Sequence, residues 1–174
     1  DDVPARRHAE RLREDLALAQ QRLREMGEVA YLGTLSLASA ERVPTASVLE
    51  EVERSASHRF PELEIQNEAR EVRDVRLVGG AASLRSILEN LLRNAREGNG
   101  AVGASKVTWK ASASETGVEL LILDDGPGFG ATSKKDGMGI GLATAAELVE
   151  RSGGSLSLED VGSGARVRLL LPLA

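Results

Sequence analysis

Cysteine is absent from this chain, which rules out a disulfide-held scaffold and any metal site built on thiolates, and fits a reducing compartment. Aromatic residues are scarce: Tyr31, Phe60, Trp109 and Phe129 are the whole set, so a core has to be assembled from Leu, Val, Ile and Ala. No run approaches the ~20 consecutive apolar residues of a spanning helix, and the opening DDVPARRH lacks the apolar centre of a signal peptide. Nor is there an excess of positive charge. With 22 Lys and Arg against 27 Asp and Glu, the formal net charge of −5 offers no footprint for a nucleic-acid backbone.

What is present suits an ordinary globular protein: 41% hydrophobic and 28% charged residues over 174 positions, enough for one packed domain and a modest extra element. From Ala5 to about Ala40 small or apolar residues recur at Ala5, Ala9, Leu12, Leu16, Ala19, Leu23, Met26, Ala30, Gly33 and Leu37. This alternation of four and three is a heptad seam, and it predicts a long helix with a helical partner, bounded by Pro4 and Pro44. The linker ERVPT leads into a short helical segment, SVLEEVERSASH, and two candidate strands, LEIQNEA and VRLVGG. The best-patterned helix is SLRSILENLLRNARE (83–97), with apolar Leu84, Ile87, Leu88, Leu91, Leu92 and Ala95 on one face and Ser83 as its N-cap. SKVTWKASA and GVELLIL read as a hairpin around SETG. GLATAAELVERSGG reads as a helix stopped by Gly153 and Gly154, and SLSLED with ARVRLLLPL as a second hairpin. The order predicts an α/β sandwich on a mixed sheet.

Three segments could carry chemistry. In NLLRNA, Asn90 and Asn94 are four apart and share a helix face, an arrangement either of exposed amides or of ligands. In DDGPGFG, two carboxylates end the apolar run VELLIL, and glycines follow that let backbone approach a ring or phosphate; the alternative is a plain turn capped by Asp124 or Asp125. In DGMGIGLATAAEL, Gly137, Gly139 and Gly141 run into a helix whose freed amides make an anion site. Lys134 and Lys135 lie just upstream, as phosphate contacts or as surface residues. This glycine spacing is not a dinucleotide fingerprint, and no GxxxxGK[ST] loop occurs.

Taken in order, these three segments resemble the N box and two glycine boxes of the GHKL ATPase superfamily, and most closely the catalytic ATP-binding domain of bacterial sensor histidine kinases. The closing GGSLSLED through GARVRLLLPL is similar to that family's last hairpin, so the resemblance covers roughly 45–174. It implies a Bergerat-type two-layer α/β sandwich with a mixed, mostly antiparallel sheet and helices on one face. Residues 1–44 would resemble the second helix of a dimerisation and histidine-phosphotransfer hairpin.

The resemblance also implies roles. Asn94 would ligate Mg2+ between the nucleotide phosphates; Asn90 stands where many relatives carry a water-activating glutamate, and an amide there favours phosphoryl transfer over hydrolysis. Asp124 would take the adenine amino group while Gly126 and Gly128 pass beneath the ring, and Asp125, pointing the other way, would serve the turn. Gly137, Gly139 and Gly141 would border the ATP phosphates, and Met138, Ile140 and Leu142 between and after them would belong to the ATP-binding segment. Lys134 and Lys135, or Arg93, would contact the terminal phosphate, since Glu97 stands where such kinases often carry lysine and the lid, ATSKKD, is short. His8 is followed by Ala9 and Glu10 with Arg13 where a phosphoacceptor's proline would fall, and His58 sits beside a predicted segment end; both read as surface histidines, with His8 the weaker alternative to a phosphorylated histidine on a helix upstream of Asp1. The implied setting is cytoplasmic, without membrane contact by this chain but with a parent that could be membrane-anchored. The implied partners are a response regulator and a second copy of the full-length protein. Two other readings stay open: an anti-sigma-factor-like serine kinase and switch, which lacks such a heptad helix, and a nucleotide-binding module without transfer activity.

Overall fold

The computed structural model describes residues 27, 39–69, 72–97, 102–128, 140–162 and 164–174. The chain divides into two units, Asp1–Ser36 and Leu37–Ala174. Of the first unit only Gly27 is described, in helical conformation. The rest of the expected heptad helix up to residue 38, His8 included, lies outside the described residues.

The second unit is built from β1 (Ala40–Val43), α1 (Thr45–Arg59), β2 (Glu64–Asn67), β3 (Val75–Val78), α2 (Gly80–Glu97), β4 (Lys106–Ala113), β5 (Gly117–Asp124), α3 (Ile140–Arg151), β6 (Ser155–Asp160) and β7 (Ala165–Pro172). Five strands form one sheet in the order β2-β4-β5-β7-β6, with β2 parallel to β4 and every other pair antiparallel. β1 and β3 form a separate antiparallel pair, joined to the end of β7 by a bridge between Val75 and Leu173. This is the mixed, mostly antiparallel two-layer arrangement expected.

Strand parity explains the layering. Trp109 on β4, Ile122 on β5 and Val167 on β7 lie in one cross-strand row, and Val118, Leu120, Leu169 and Leu171 extend the same buried face. The alternate positions carry Lys110, Glu119, Arg166 and Arg168 to the opposite face, where Arg166 pairs with Glu159 at 3.0 Å and Arg168 with Glu119 at 3.5 Å. Leu84, Ile87, Leu88, Leu91, Leu92 and Ala95 of α2 are all buried, each large side chain stabilising the domain by roughly 1.5–3 kcal/mol through removal from water.

Two expectations are corrected. Helix α2 begins at Gly80, three residues before the expected start, and Ser83 is buried within its first turn instead of capping it. The Gly79–Gly80 pair, with φ of +76° and +62°, turns the chain from β3 directly into the helix. Residues Ala40–Val43, assigned to the helix end and linker, form β1, so the compact unit starts before Thr45. The cause is non-local: β1 exists through its ladder with Val75–Val78.

Candidate functional site

Asp124 owes its position to the parity of β5. It follows Val118, Leu120 and Ile122 in phase, so it ends the buried row, opposite Val107 on β4, and is half-buried. Its Oδ1 accepts the Gly126 N–H at 2.9 Å and the Ala165 N–H at 3.2 Å. Both of its hydrogen bonds among the described residues fall on that one oxygen, and Oδ2 is left to a ligand or solvent. Burial pushes the Asp124 carboxyl above the ordinary 3.8, the two backbone N–H donors counter it, and the neighbouring Asp125 charge adds to the rise.

Asp125, one residue on, leaves the strand on the other side and is exposed. Its Oδ1 accepts the backbone N–H groups of Ser105 and Lys106, each at 2.8 Å, and its Oδ2 accepts the Ser105 hydroxyl at 2.6 Å. Partial desolvation pushes its carboxyl up, but the hydrogen bonds from Ser105 and Lys106 outweigh that and hold it below 3.8. It fastens the loop to the start of β4, a longer-range task than shaping its own turn.

The glycine that follows is tightly placed. A Cβ at Gly126 would stand 3.0 Å from Asp124 Oδ1 and 3.3 Å from the Ala104 nitrogen. Gly128 takes φ of +74°.

On α2 the two asparagines differ. Asn90 is 7% exposed, whereas Asn94 is exposed. Asn90 Oδ1 accepts a hydrogen bond from the Arg93 guanidinium, and its amide packs on the first turn of α3, where a Cβ at Gly141 would lie 3.3 Å from both Cγ and Nδ2. Gly141 thus lets two helices meet over an amide. Leu142, expected in the ATP-binding segment, is 7% exposed and packs in the core. Ile140 opens α3. Lys134, Lys135, Gly137, Met138 and Gly139 lie outside the described residues. His58 is exposed in the last turn of α1.

The donor set suits a magnesium ion that keeps most of its waters. Among the described residues no group of three or more His, Cys, Asp or Glu is placed to cage a metal, and Asn94 offers an exposed amide oxygen, a hard donor.

Ser105, Gly164 and Ala165 were not singled out from the sequence. The turn VGSG was read only as a turn, and nothing local ties it to Asp124.

A family described as histidine kinase-, DNA gyrase B-, and HSP90-like ATPase matches residues 79–174. The C4-dicarboxylate transport sensor protein DctB of Rhizobium meliloti is 37% identical over 100 residues, covering 50% of this chain and 16% of that protein. The sensor-type histidine kinase PrrB of Mycobacterium leprae is 30% identical over 152 residues, 78% of this chain and 33% of that protein. The chain therefore spans a third or less of the length of these two relatives. Among solved structures, the ATP binding domain of PrrB from Mycobacterium tuberculosis superposes with a TM-score of 0.67 at 27% identity, over 78% of this chain and 98% of that one.

Proposed function

The chain belongs to the histidine kinase-, DNA gyrase B- and HSP90-like ATPases, and on that premise we propose that it is the ATP-binding catalytic part of a two-component sensor histidine kinase. The observation that carries the reading is Asp124, a half-buried carboxylate at a strand end with one oxygen tied to backbone and the other open among the described residues, beside a glycine whose Cβ would be tight against that carboxylate and the Ala104 backbone. Such a group accepts a hydrogen bond from an exocyclic amine, and so reads adenine.

Asn94 would hold the magnesium ion through its exposed amide oxygen, and the ion would supply charge neutralisation on the phosphates. Asn90, clamped between Arg93 and Gly141, fixes α3 against α2 and keeps the site's two helices in register. An amide there has no basic oxygen with which to activate water, which supports transfer in place of hydrolysis. Lys134 and Lys135 supply positive charge to the terminal phosphate. Catalysis at such a site comes mainly from positioning and charge stabilisation. The acceptor is a histidine on a dimerisation helix, the working form a homodimer in the cytoplasm, and the downstream partner a response regulator. Among the described residues no helix is long and apolar enough to cross a membrane.

Calorimetry tests the site. Asp124→Asn should weaken Mg-ATP about 10- to 100-fold, the loss of one hydrogen bond to a charged group. Asn94→Ala should abolish the magnesium-dependent part of the affinity. Undiminished binding in both variants would overturn the assignment. With labelled ATP, His8 should take up no stable phosphate.

A further inference from the structure

The Asp124 carboxylate is held from outside its own loop. Ala165, 41 residues further along, donates its N–H to Oδ1. Gly164, immediately before it, has φ of +126°, and a Cβ there would stand 1.9 Å from the Asp124 carbonyl oxygen, 2.9 Å from its carbonyl carbon and 3.3 Å from Asp125 Cα. Those are backbone atoms at the end of β5, so no flexible side chain can give way. Gly162, two residues earlier in the same turn, also has positive φ, +79°, yet a Cβ there meets nothing within 4 Å. One glycine serves the turn's conformation; the other serves its contact with Asp124.

We propose that the β6–β7 turn is a positioning element for base recognition, in which Gly164 and Ala165 fix the Asp124 carboxylate so that Oδ2 alone faces the ligand. The inference rests on the reading of Asp124 as the adenine contact. The Gly126 and Ala165 N–H groups, one from the loop after β5 and one from the start of β7, both donate to Oδ1, and together they oppose rotation of the carboxylate. A carboxylate held this way presents an acceptor at one fixed point. Adenine offers an amino donor at the corresponding ring position, and guanine a carbonyl oxygen that a carboxylate repels. Release of the carboxylate costs affinity for adenine and also costs selectivity. β7 thereby acts on the site through Asp124.

The test uses the 174-residue chain without nucleotide and then with ATP and GTP. In the parent protein, carbon-detected NMR should show the Ala165 and Gly126 amide shifts titrating with the Asp124 carboxyl, and the Gly162 amide indifferent to it. Ala165→Pro removes one donor at the first position of a strand, where proline is tolerated, and should move the Asp124 midpoint upward, because that hydrogen bond lowers it. Gly164→Ala and Ala165→Pro should each weaken ATP by about tenfold and shrink the preference for ATP over GTP, while Gly162→Ala changes neither by more than about twofold. An Ala165 amide that does not follow the Asp124 titration overturns the proposal without any variant. So does retained ATP preference in folded Gly164→Ala and Ala165→Pro when Asp124→Asn has lost it. If Asp124→Asn binds ATP as tightly as the parent, the adenine assignment falls, and the nucleotide-free titration still decides whether Gly164 and Ala165 position the carboxylate.

Discussion

Two adjacent aspartates, Asp124 and Asp125, have carboxyls displaced in opposite directions, and their surroundings account for it. The raised group destabilises the folded chain once ionised. Its stabilising contribution is complete below the ordinary 3.8 and is lost as pH rises through its raised folded value. Asp124→Asn should therefore leave the nucleotide-free protein as stable as the parent or more so at neutral pH, while weakening ATP. Thermal unfolding beside calorimetry checks the pair of outcomes, and a variant that lost stability at pH 7 would contradict it. The lowered group behaves in the reverse sense. Asp125 contributes stability above 3.8 that is lost as pH falls through its lower folded value. Asp125→Ala should cost about 1 kcal/mol at pH 7, small because the site is exposed to water and screened, and should cost progressively less in acid. Denaturant melts at pH 7 and pH 2.5 would show the convergence. The doublet's division of labour was legible in the sequence, because strand parity sends neighbours to opposite faces. The partners Ser105 and Ala165 were not, since hydrogen bonds across the sheet leave no local pattern.

Among the elements, α2 and α3 were legible because their apolar spacing follows the helical period, and α3 because its end also carries a glycine signal. α3 closes with Gly154 N–H on Val149 carbonyl and Gly153 N–H on Glu150 carbonyl, both at 2.9 Å, with Gly153 at φ of +83°. The two glycines are not equivalent. A Cβ at Gly153 meets nothing, whereas one at Gly154 would stand 2.0 Å from the Leu170 carbonyl oxygen on β7. Gly153→Ala should cost about 1 kcal/mol, the strain of a left-handed alanine, and Gly154→Ala more than about 2 kcal/mol, because backbone must move. Equal losses in chemical denaturation would refute the distinction. β1 was missed for the converse reason: four residues, AERV, carry too little periodicity to announce a strand whose partner lies more than thirty residues away.

At the scale of the molecule, the candidate site draws on segments far apart in sequence: the β6–β7 turn meets Asp124 at the end of β5, the central strand of the sheet, and the start of α3 meets Asn90 of α2. A ligand bound there stabilises the whole folded unit. Mg-ATP at a hundred times its dissociation constant should raise the unfolding free energy by about 2.7 kcal/mol. Chelation of the magnesium with EDTA should remove most of that gain, and GTP should give much less. Differential scanning calorimetry reads all three, and an unfolding temperature indifferent to Mg-ATP would count against the proposed function.

The sequence by itself determined the class of fold, the faces of its main helices, the parity of β5 and the three ordered boxes that carry the family resemblance. Each of these is a short-range pattern, set by helical or strand period and by where glycine is required. The tertiary structure alone decided that Asn90 is buried under Gly141 while Asn94 stays open, that Leu142 belongs to the core, and that Gly164 and Ala165 grip Asp124. Those outcomes depend on which backbone atoms come within contact distance after packing, and close approach between distant segments has no signature in the spacing of residues along the chain.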